Sequence, residues 1–178
     1  MAVGKTFGQD DLYAQATDAY GTALERLARA YEAAPDTRRD LLQDIHLAVW
    51  QSLSDFEGRC SLRTWVYRVA HNVAISHVVR RRRMSVETLV DLEELAAMPD
   101  LSDHERASED RLAVERLLAL IHRLKPIDRQ IMLLYLEDTD ATSIGEVTGL
   151  SPGHVRVQIH RIKAILAKRF HAGGRNDS

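Results

Sequence analysis

The stretch from Thr148 to Arg156 constrains the fold most strongly, because it predicts that one helix ends and another begins within a few residues. Gly149 suits the left-handed backbone position just past a helix C-terminus. Ser151 is a good N-cap, and Pro152 follows at the first helical position, where its missing N–H costs nothing. The sequence therefore predicts two helices joined by a tight turn.

The helix after this turn is predicted to be amphipathic and basic. Its apolar stripe repeats at helical spacing and consists of Val155, Ile159, Ile162 and Leu166. No Asp or Glu occurs between Ser151 and Phe170. A short helix opened by Asp140 or Thr142, a glycine turn and a basic second helix predict a helix-turn-helix whose second helix enters the DNA major groove. An ordinary helical hairpin with a solvated basic face is the alternative that these residues leave open.

The charges are distributed unevenly along the 178 residues, although the formal net charge is only −2. Residues 1–83 have net charge +2, residues 84–110 have −8, and residues 111–178 have +4. Two basic lobes are thus joined by an acidic connector, a distribution that favours a nucleic-acid partner. Charge alone leaves open whether the connector is a solvated tether or occupies a basic channel meant for nucleic acid.

The first lobe is predicted to contain three helices, the first from Leu12 to Tyr31 and the second opened by the segment Pro35 to Thr37. Ser61 can cap the third. Its predicted buried stripe is Leu62, Trp65, Val66, Val69 and Val73. The opposite face exposes Thr64, Tyr67, Arg68 and His71 and ends in the four arginines 80–83. These arginines can bind phosphate or simply be a solvated helix end, and Tyr67 and His71 are placed to touch nucleic acid.

The fold class is all-α, with two small helical domains and no alternating strand pattern. We place an N-terminal bundle at residues 10–83, an acidic linker at 84–110 with one weak helix around 86–97, and a C-terminal four-helix domain at 111–170.

Several classes of protein are disfavoured by composition. The single cysteine, Cys60, excludes an internal disulfide framework and fits a reducing cytoplasm, so we expect a cytoplasmic protein. The first ten residues lack the apolar core of a signal peptide, and no run approaches a membrane span. The histidines lack metal-ligand spacing, and no nucleophile–base motif or phosphate-binding loop occurs. We therefore predict no enzyme, no metal and no cofactor.

Four motifs, in order, resemble those of bacterial RNA polymerase sigma factors, specifically the extracytoplasmic-function (ECF) group. Residues 40–50 resemble the family's Asp-Leu-Val-Gln-Glu helix, and residues 62–74 resemble its Trp-Leu-Tyr-Arg-Ile-Ala-Arg-Asn-Leu-Ala helix, including the trailing arginines. Residues 124–130 are similar to its Leu-Pro-Pro-x-x-Arg turn, and residues 155–163 to its recognition helix. Four ordered motifs are far more specific than one helix-turn-helix.

The resemblance implies a role for each motif, and the connector would thread the RNA exit path of the polymerase. Docking on the polymerase's largest subunit would use Asp40, Gln43, Asp44, His46 and Trp50. The loop from Ser54 to Ser61 would help to open the −10 element and hold a flipped base. Contacts to that strand would come from Arg68, His71, Asn72, Arg80, Arg81, Arg82 and Arg83. The −35 element would be contacted by Arg156, Val157, His160, Arg161 and Lys163.

The expected partners are core RNA polymerase, promoter DNA and an anti-sigma factor. Val157 and Gln158 depart from the family pattern, and a valine can touch a thymine methyl while a glutamine can pair with adenine. Gly145 stands where the family usually has alanine, at a helix cost of about 1 kcal/mol. A stand-alone helix-turn-helix regulator and a protein-binding adaptor or decoy remain as alternatives.

Overall fold

The computed structural model describes residues 8–82, 92–97 and 109–172, and the chain divides into two compact units, Met1–Met84 and Ser85–Ser178. In the first unit α1 (Gln9–Tyr31), α2 (Pro35–Ser52) and α3 (Leu62–Arg82) pack pairwise, with a 3-10 turn (Leu53–Asp55) after α2. The second unit contains α4 (Leu92–Ala97), α5 (Glu109–Arg123), α6 (Pro126–Leu136), α7 (Ala141–Thr148) and α8 (Pro152–Ala172). The all-α fold class is confirmed.

The buried face of α3 differs from the predicted one. Leu62, Val69 and Val73, predicted to be buried, are only half-buried. The face that packs on α1 and α2 instead contains Val66, Tyr67, Ala70, His71, Ala74 and His77. Two alanines let the helices approach closely, and the buried histidine ring nitrogens have hydrogen-bond partners at the end of α1, in Tyr31 and its C-cap Glu32. The prediction that Thr64, Tyr67 and His71 lie on an exposed face is therefore wrong.

The burial of His71 makes the first unit sensitive to acid. Its Nδ1 lies 3.1 Å from the Tyr31 hydroxyl, and burial lowers the pKa of His71 to about 3. The unfolded chain takes up this proton near pH 6.5, so unfolding gains a proton between pH 6.5 and 3. We expect the free energy of unfolding to fall by about 1.4 kcal/mol per pH unit in that window from this group.

Urea unfolding between pH 7 and 5 measures this slope. The variant Tyr31→Phe/His71→Leu removes the titrating ring together with its partner, so its slope should be lower by about one proton. A variant with the wild-type slope would contradict the prediction.

The turn between α7 and α8 has the predicted geometry. The Asp140 carboxylate caps α7 by accepting from the backbone N–H groups of Thr142 and Ser143, which decides between the two predicted caps. Gly149 is left-handed at φ 79°, and the Ser151 hydroxyl accepts from the backbone N–H of His154 at 3.2 Å. These contacts fix the direction in which α8 leaves the turn.

Gly145 is more than a cost to helix stability. A Cβ added there would lie 2.6 Å from the backbone carbonyl oxygen of Leu150, which belongs to the turn itself. We expect Gly145→Ala to destabilise the second unit, because overpacking against backbone costs about 1–3 kcal/mol and exceeds the gain of about 1 kcal/mol in helix propensity. Gly153→Ala is the matched control, since its Cβ would meet nothing within 4 Å.

Urea unfolding of the two variants compares these effects directly. Gly153→Ala should match or exceed the stability of the wild-type protein. If Gly145→Ala were as stable as Gly153→Ala, the carbonyl contact would not be limiting.

Candidate nucleic-acid interface

The exposed side of α8 contains all five residues predicted to contact the −35 element. Its buried side is anchored by Val155, Ile162 and Leu166, while Ile159 is half-buried. The opposite side exposes Arg156, Val157, His160, Arg161 and Lys163. Val157 is 68% exposed, unusually open for an aliphatic side chain, and it lies between two cations on one helical face. This face offers guanidinium donors for bases and phosphates and a methyl surface for thymine.

Two contacts from α8 to α6 fix the orientation of that face. Gln158 Nε2 donates to the buried carboxylate of Asp128 at 2.6 Å, so this side-chain amide already has a partner inside the protein, and its pairing with adenine stays a prediction. Lys163 Nζ donates to the Tyr135 hydroxyl at 2.9 Å and lies 4.9 Å from the ring centroid. Arg161 is paired with the carboxylate of Glu93 on α4.

The surface of α3 offers a second basic stripe. Arg68, Asn72, Ser76 and Arg80 recur every four residues; Arg68 is half-buried, and the other three are exposed. Three of them, Arg68, Asn72 and Arg80, were predicted to contact the −10 strand. His71 was predicted with them, but it is 1% exposed and faces the core. Tyr67 is buried as well, against Tyr20, so neither ring is available to stack on a base.

The second arginine of the run at the end of α3 makes a contact inside the protein. Arg81 pairs with the carboxylate of Glu32, which also lies 3.0 Å from His77 Nε2. Burial would raise the pKa of Glu32, but the hydrogen bonds from Arg81 and His77 outweigh it and lower the pKa to about 2. Arg81 therefore has a partner within the first unit, and its predicted contact with phosphate stays a prediction. The side chain of Arg82 and all of Arg83 lie outside the described residues.

The loop before α3 has a defined conformation. Gly58 is left-handed at φ 72°, and Ser61 caps α3 by accepting from the backbone N–H of Thr64 at 3.0 Å. The Trp65 indole donates to the Ser52 hydroxyl at 3.0 Å and meets the ring of Phe56 edge-on. The loop is therefore fixed at both ends, with Trp65 partly in the packed interior.

The outer face of α2 combines acidic and apolar groups. Asp40, Gln43 and Asp44 are exposed there, as predicted positions for polymerase binding. Trp50 is 38% exposed and its indole donates to Asp10 at 2.9 Å. Leu47, which the sequence analysis did not single out, is 54% exposed on the same face. The sequence could have indicated this position, because Leu47 follows Asp44 by three residues and Gln43 by four and therefore shares their side of the helix.

His46, the remaining predicted residue of this face, is half-buried. Its Nδ1 lies 3.0 Å from the Tyr13 hydroxyl, and burial lowers its pKa against the opposing effect of Glu25. Its ring serves the packing of α1 on α2 at least as much as the outer surface.

Within the described ranges, no three His, Cys, Asp or Glu side chains are grouped as a metal site would require. In the same part of the chain, no helix combines the length and the apolar character that a membrane crossing needs.

Comparison with known proteins identifies both units. The profile of Sigma-70 region 2 matches residues 17–84, and the profile of Sigma-70 region 4 matches residues 114–166. The RNA polymerase sigma factor CnrH of Cupriavidus metallidurans is 26% identical over 97% of this chain and 93% of its own. The RNA polymerase sigma factor NccH of Alcaligenes xylosoxydans is 28% identical over 75% of this chain and 73% of its own. The ECF factor SigW of Bacillus subtilis is 21% identical over 92% of this chain and 91% of its own.

Solved structures agree on the fold. CnrH in complex with the cytosolic domain of CnrY has a TM-score of 0.66 and 23% identity, covering 96% of this chain and 92% of that one. RpoE of Bartonella quintana in complex with the anti-sigma factor NepR has a TM-score of 0.67 and 17% identity, covering 89% of this chain and 96% of that one. The two matched regions together cover more than half of the chain in the predicted order, and they show that it belongs to the sigma-70 family of RNA polymerase sigma factors, with similarity to members of the ECF group.

Proposed function

We propose that this chain is an alternative sigma factor that binds core RNA polymerase through α2, opens the −10 element with α3 and the loop before it, and reads the −35 element with α8. It works by binding and positioning, in the cytoplasm, and the chemistry of RNA synthesis belongs to the polymerase. The observation that supports this most strongly is the exposed face of α8, where all five predicted −35 contacts lie together.

The roles on α8 follow from the chemistry of the exposed groups. Arg156 and Arg161 can donate in pairs to guanine or to phosphate, and Val157 suits a thymine methyl. His160 lies between them on the same face. Lys163, placed at the side of the helix by Tyr135, suits the DNA backbone. Each well-made base contact would contribute about 1–3 kcal/mol of discrimination.

The proposed −10 contacts are those predicted residues that lie on the basic stripe of α3, of which Arg68 is half-buried and the others are exposed. Arg68, Asn72 and Arg80 would track the separated strand, and the loop at Gly58 would receive the flipped base. Arg82 and Arg83 stay predictions for phosphate contact. On α2, the acidic and apolar outer face suits a partner surface that is basic and apolar, as proposed for the polymerase.

An anti-sigma factor is the proposed regulatory partner. RpoE, similar in fold to this chain, was solved with an anti-sigma factor bound. Such a partner would have to cover the faces of α2 or α8 to keep the protein silent.

Reconstituted transcription tests the proposal. Core RNA polymerase with and without the purified chain is given genomic DNA, and the 5′ ends of the transcripts are mapped. The chain should produce start sites that core polymerase alone does not use, sharing paired upstream sequence elements. No new start sites would overturn the proposal. Specific, tight promoter binding by the free chain would instead favour the stand-alone regulator.

A further inference from the structure

The acidic connector contributes a helix that is folded onto the DNA-reading helix. In α4, Leu92 is 3% exposed and Leu95 is fully buried, and the helix packs against α8. These leucines are three residues apart and share one side of α4, which makes it an amphipathic helix docked by its apolar face. A simple solvated tether would leave both leucines in water.

The polar edge of α4 reaches a residue proposed to contact DNA. The carboxylate of Glu93 pairs with the guanidinium of Arg161, which shares the exposed face of α8 with Arg156, Val157 and His160. A phosphate and a carboxylate use the same guanidinium donors, so Arg161 cannot give both the same pair of hydrogen bonds. Glu94, exposed on the same helix, adds a second negative charge to α4.

We propose that α4 is an internal competitor for DNA: in the unbound protein it neutralises Arg161, and DNA must displace Glu93 before α8 is fully engaged. This inference rests on the proposed function of α8. α4 itself contributes Glu93 and Glu94 and no basic residue, so a duplex that approaches α8 meets repulsion as long as α4 stays docked. The free protein therefore binds DNA with fewer cations than its sequence supplies.

Two matched variants of the full chain test the competition. Glu93→Gln removes the charge that faces Arg161, and Glu94→Gln removes the same charge one residue along α4. Affinity for a fluorescent mixed-sequence duplex of about 30 base pairs is measured over a series of salt concentrations. Glu93→Gln should tighten binding about two- to fivefold at low salt, the range expected of an exposed ion pair.

The salt dependence separates a freed cation from a general change in charge. Salt also weakens the Glu93–Arg161 pair, so the competition makes the wild-type slope of log affinity against log salt shallower, and Glu93→Gln should steepen this slope by less than about one. Glu94→Gln should keep the wild-type slope. Hydrogen exchange at the α4 amides of the wild-type chain gives a second readout, and exchange should accelerate when the duplex is added.

The proposal requires both the steeper slope of Glu93→Gln and the faster exchange of the α4 amides. Equal slopes for the two variants, or α4 amides whose exchange is unchanged or slowed by the duplex, would overturn the competition. The transcription assay keeps this failure separate from a failure of the proposed function: new start sites with equal slopes refute only the role of α4, whereas the absence of new start sites refutes the sigma-factor proposal itself.

Discussion

Leu47→Asp is expected to weaken binding to core RNA polymerase strongly while leaving the fold intact. Leu47 is 54% exposed on α2, beside Asp44 and within reach of Trp50, so a carboxylate there meets solvent in the free protein. In a complex that covers this face, the same carboxylate would be buried against apolar surface without a partner. Truncations at such central positions cost 2 kcal/mol or more, and a buried charge adds to that, so affinity should fall about 30- to 1000-fold.

Titration of labelled core polymerase with each variant measures this loss. Leu136→Asp is the matched control, because Leu136 is 47% exposed at the end of α6 in the other unit and undergoes the same chemical change. Its affinity for core should stay within a few-fold of the wild-type value. Thermal unfolding of both variants verifies that the fold survives. Wild-type affinity of Leu47→Asp, or an equal loss in both variants, would remove α2 from the proposed interface.

Glu32→Gln is expected to cause the largest loss of stability in the first unit. The Glu32 carboxylate is 3% exposed and receives hydrogen bonds from His77 and Arg81 on α3. Glutamine keeps one acceptor oxygen, but it removes the negative charge that His77 and Arg81 share, and its NH2 group cannot accept as the second carboxylate oxygen does from the backbone N–H of Ala34. Breaking one side of a buried pair costs about 3–5 kcal/mol, and we expect about 2–4 kcal/mol here because Arg81 is 42% exposed and keeps contact with water.

The control for this variant is Glu57→Gln. Glu57 pairs with Arg59 in the same unit, but the two side chains are 61% and 84% exposed. The stability of that variant should stay within about 0.5 kcal/mol of the wild type in urea unfolding. The pKa of Glu32 gives a second check: the stabilisation is present above pH 4.5 and is lost as the pH falls toward 2. Equal stability of the two variants at neutral pH would contradict a structural role for the pair.

Local sequence was sufficient for the helix-turn-helix because its signals act over a few residues. The left-handed Gly149 closes α7 by donating to the carbonyl oxygen of Gly145, and the Ser151 cap and Pro152 act within the first turn of α8, so tertiary contacts are not needed to specify them. The exposed face of α8 was predictable for the same reason. Its apolar stripe repeats regularly, and the face opposite to that stripe is free of acidic residues.

Tertiary contacts decided which face of α3 is buried. Valines occur on more than one side of that helix, so hydrophobic periodicity alone favoured the wrong phase. The observed phase buries His71 and His77, whose partners Tyr31 and Glu32 lie 40 and 45 residues earlier in the chain. A polar side chain is stable in the core only where a hydrogen-bond partner is present, and the local sequence pattern does not reveal a partner that lies far away in the chain.

By itself, therefore, the sequence determined the all-helical class, the turn before α8 and the basic face that α8 exposes, because backbone bonds and caps act between neighbours in the chain. The tertiary structure alone decided that Leu92 and Leu95 dock α4 on α8 and that Glu93 reaches Arg161. Those contacts join residues nearly seventy positions apart, and burial of apolar surface between distant segments depends on the shape of both.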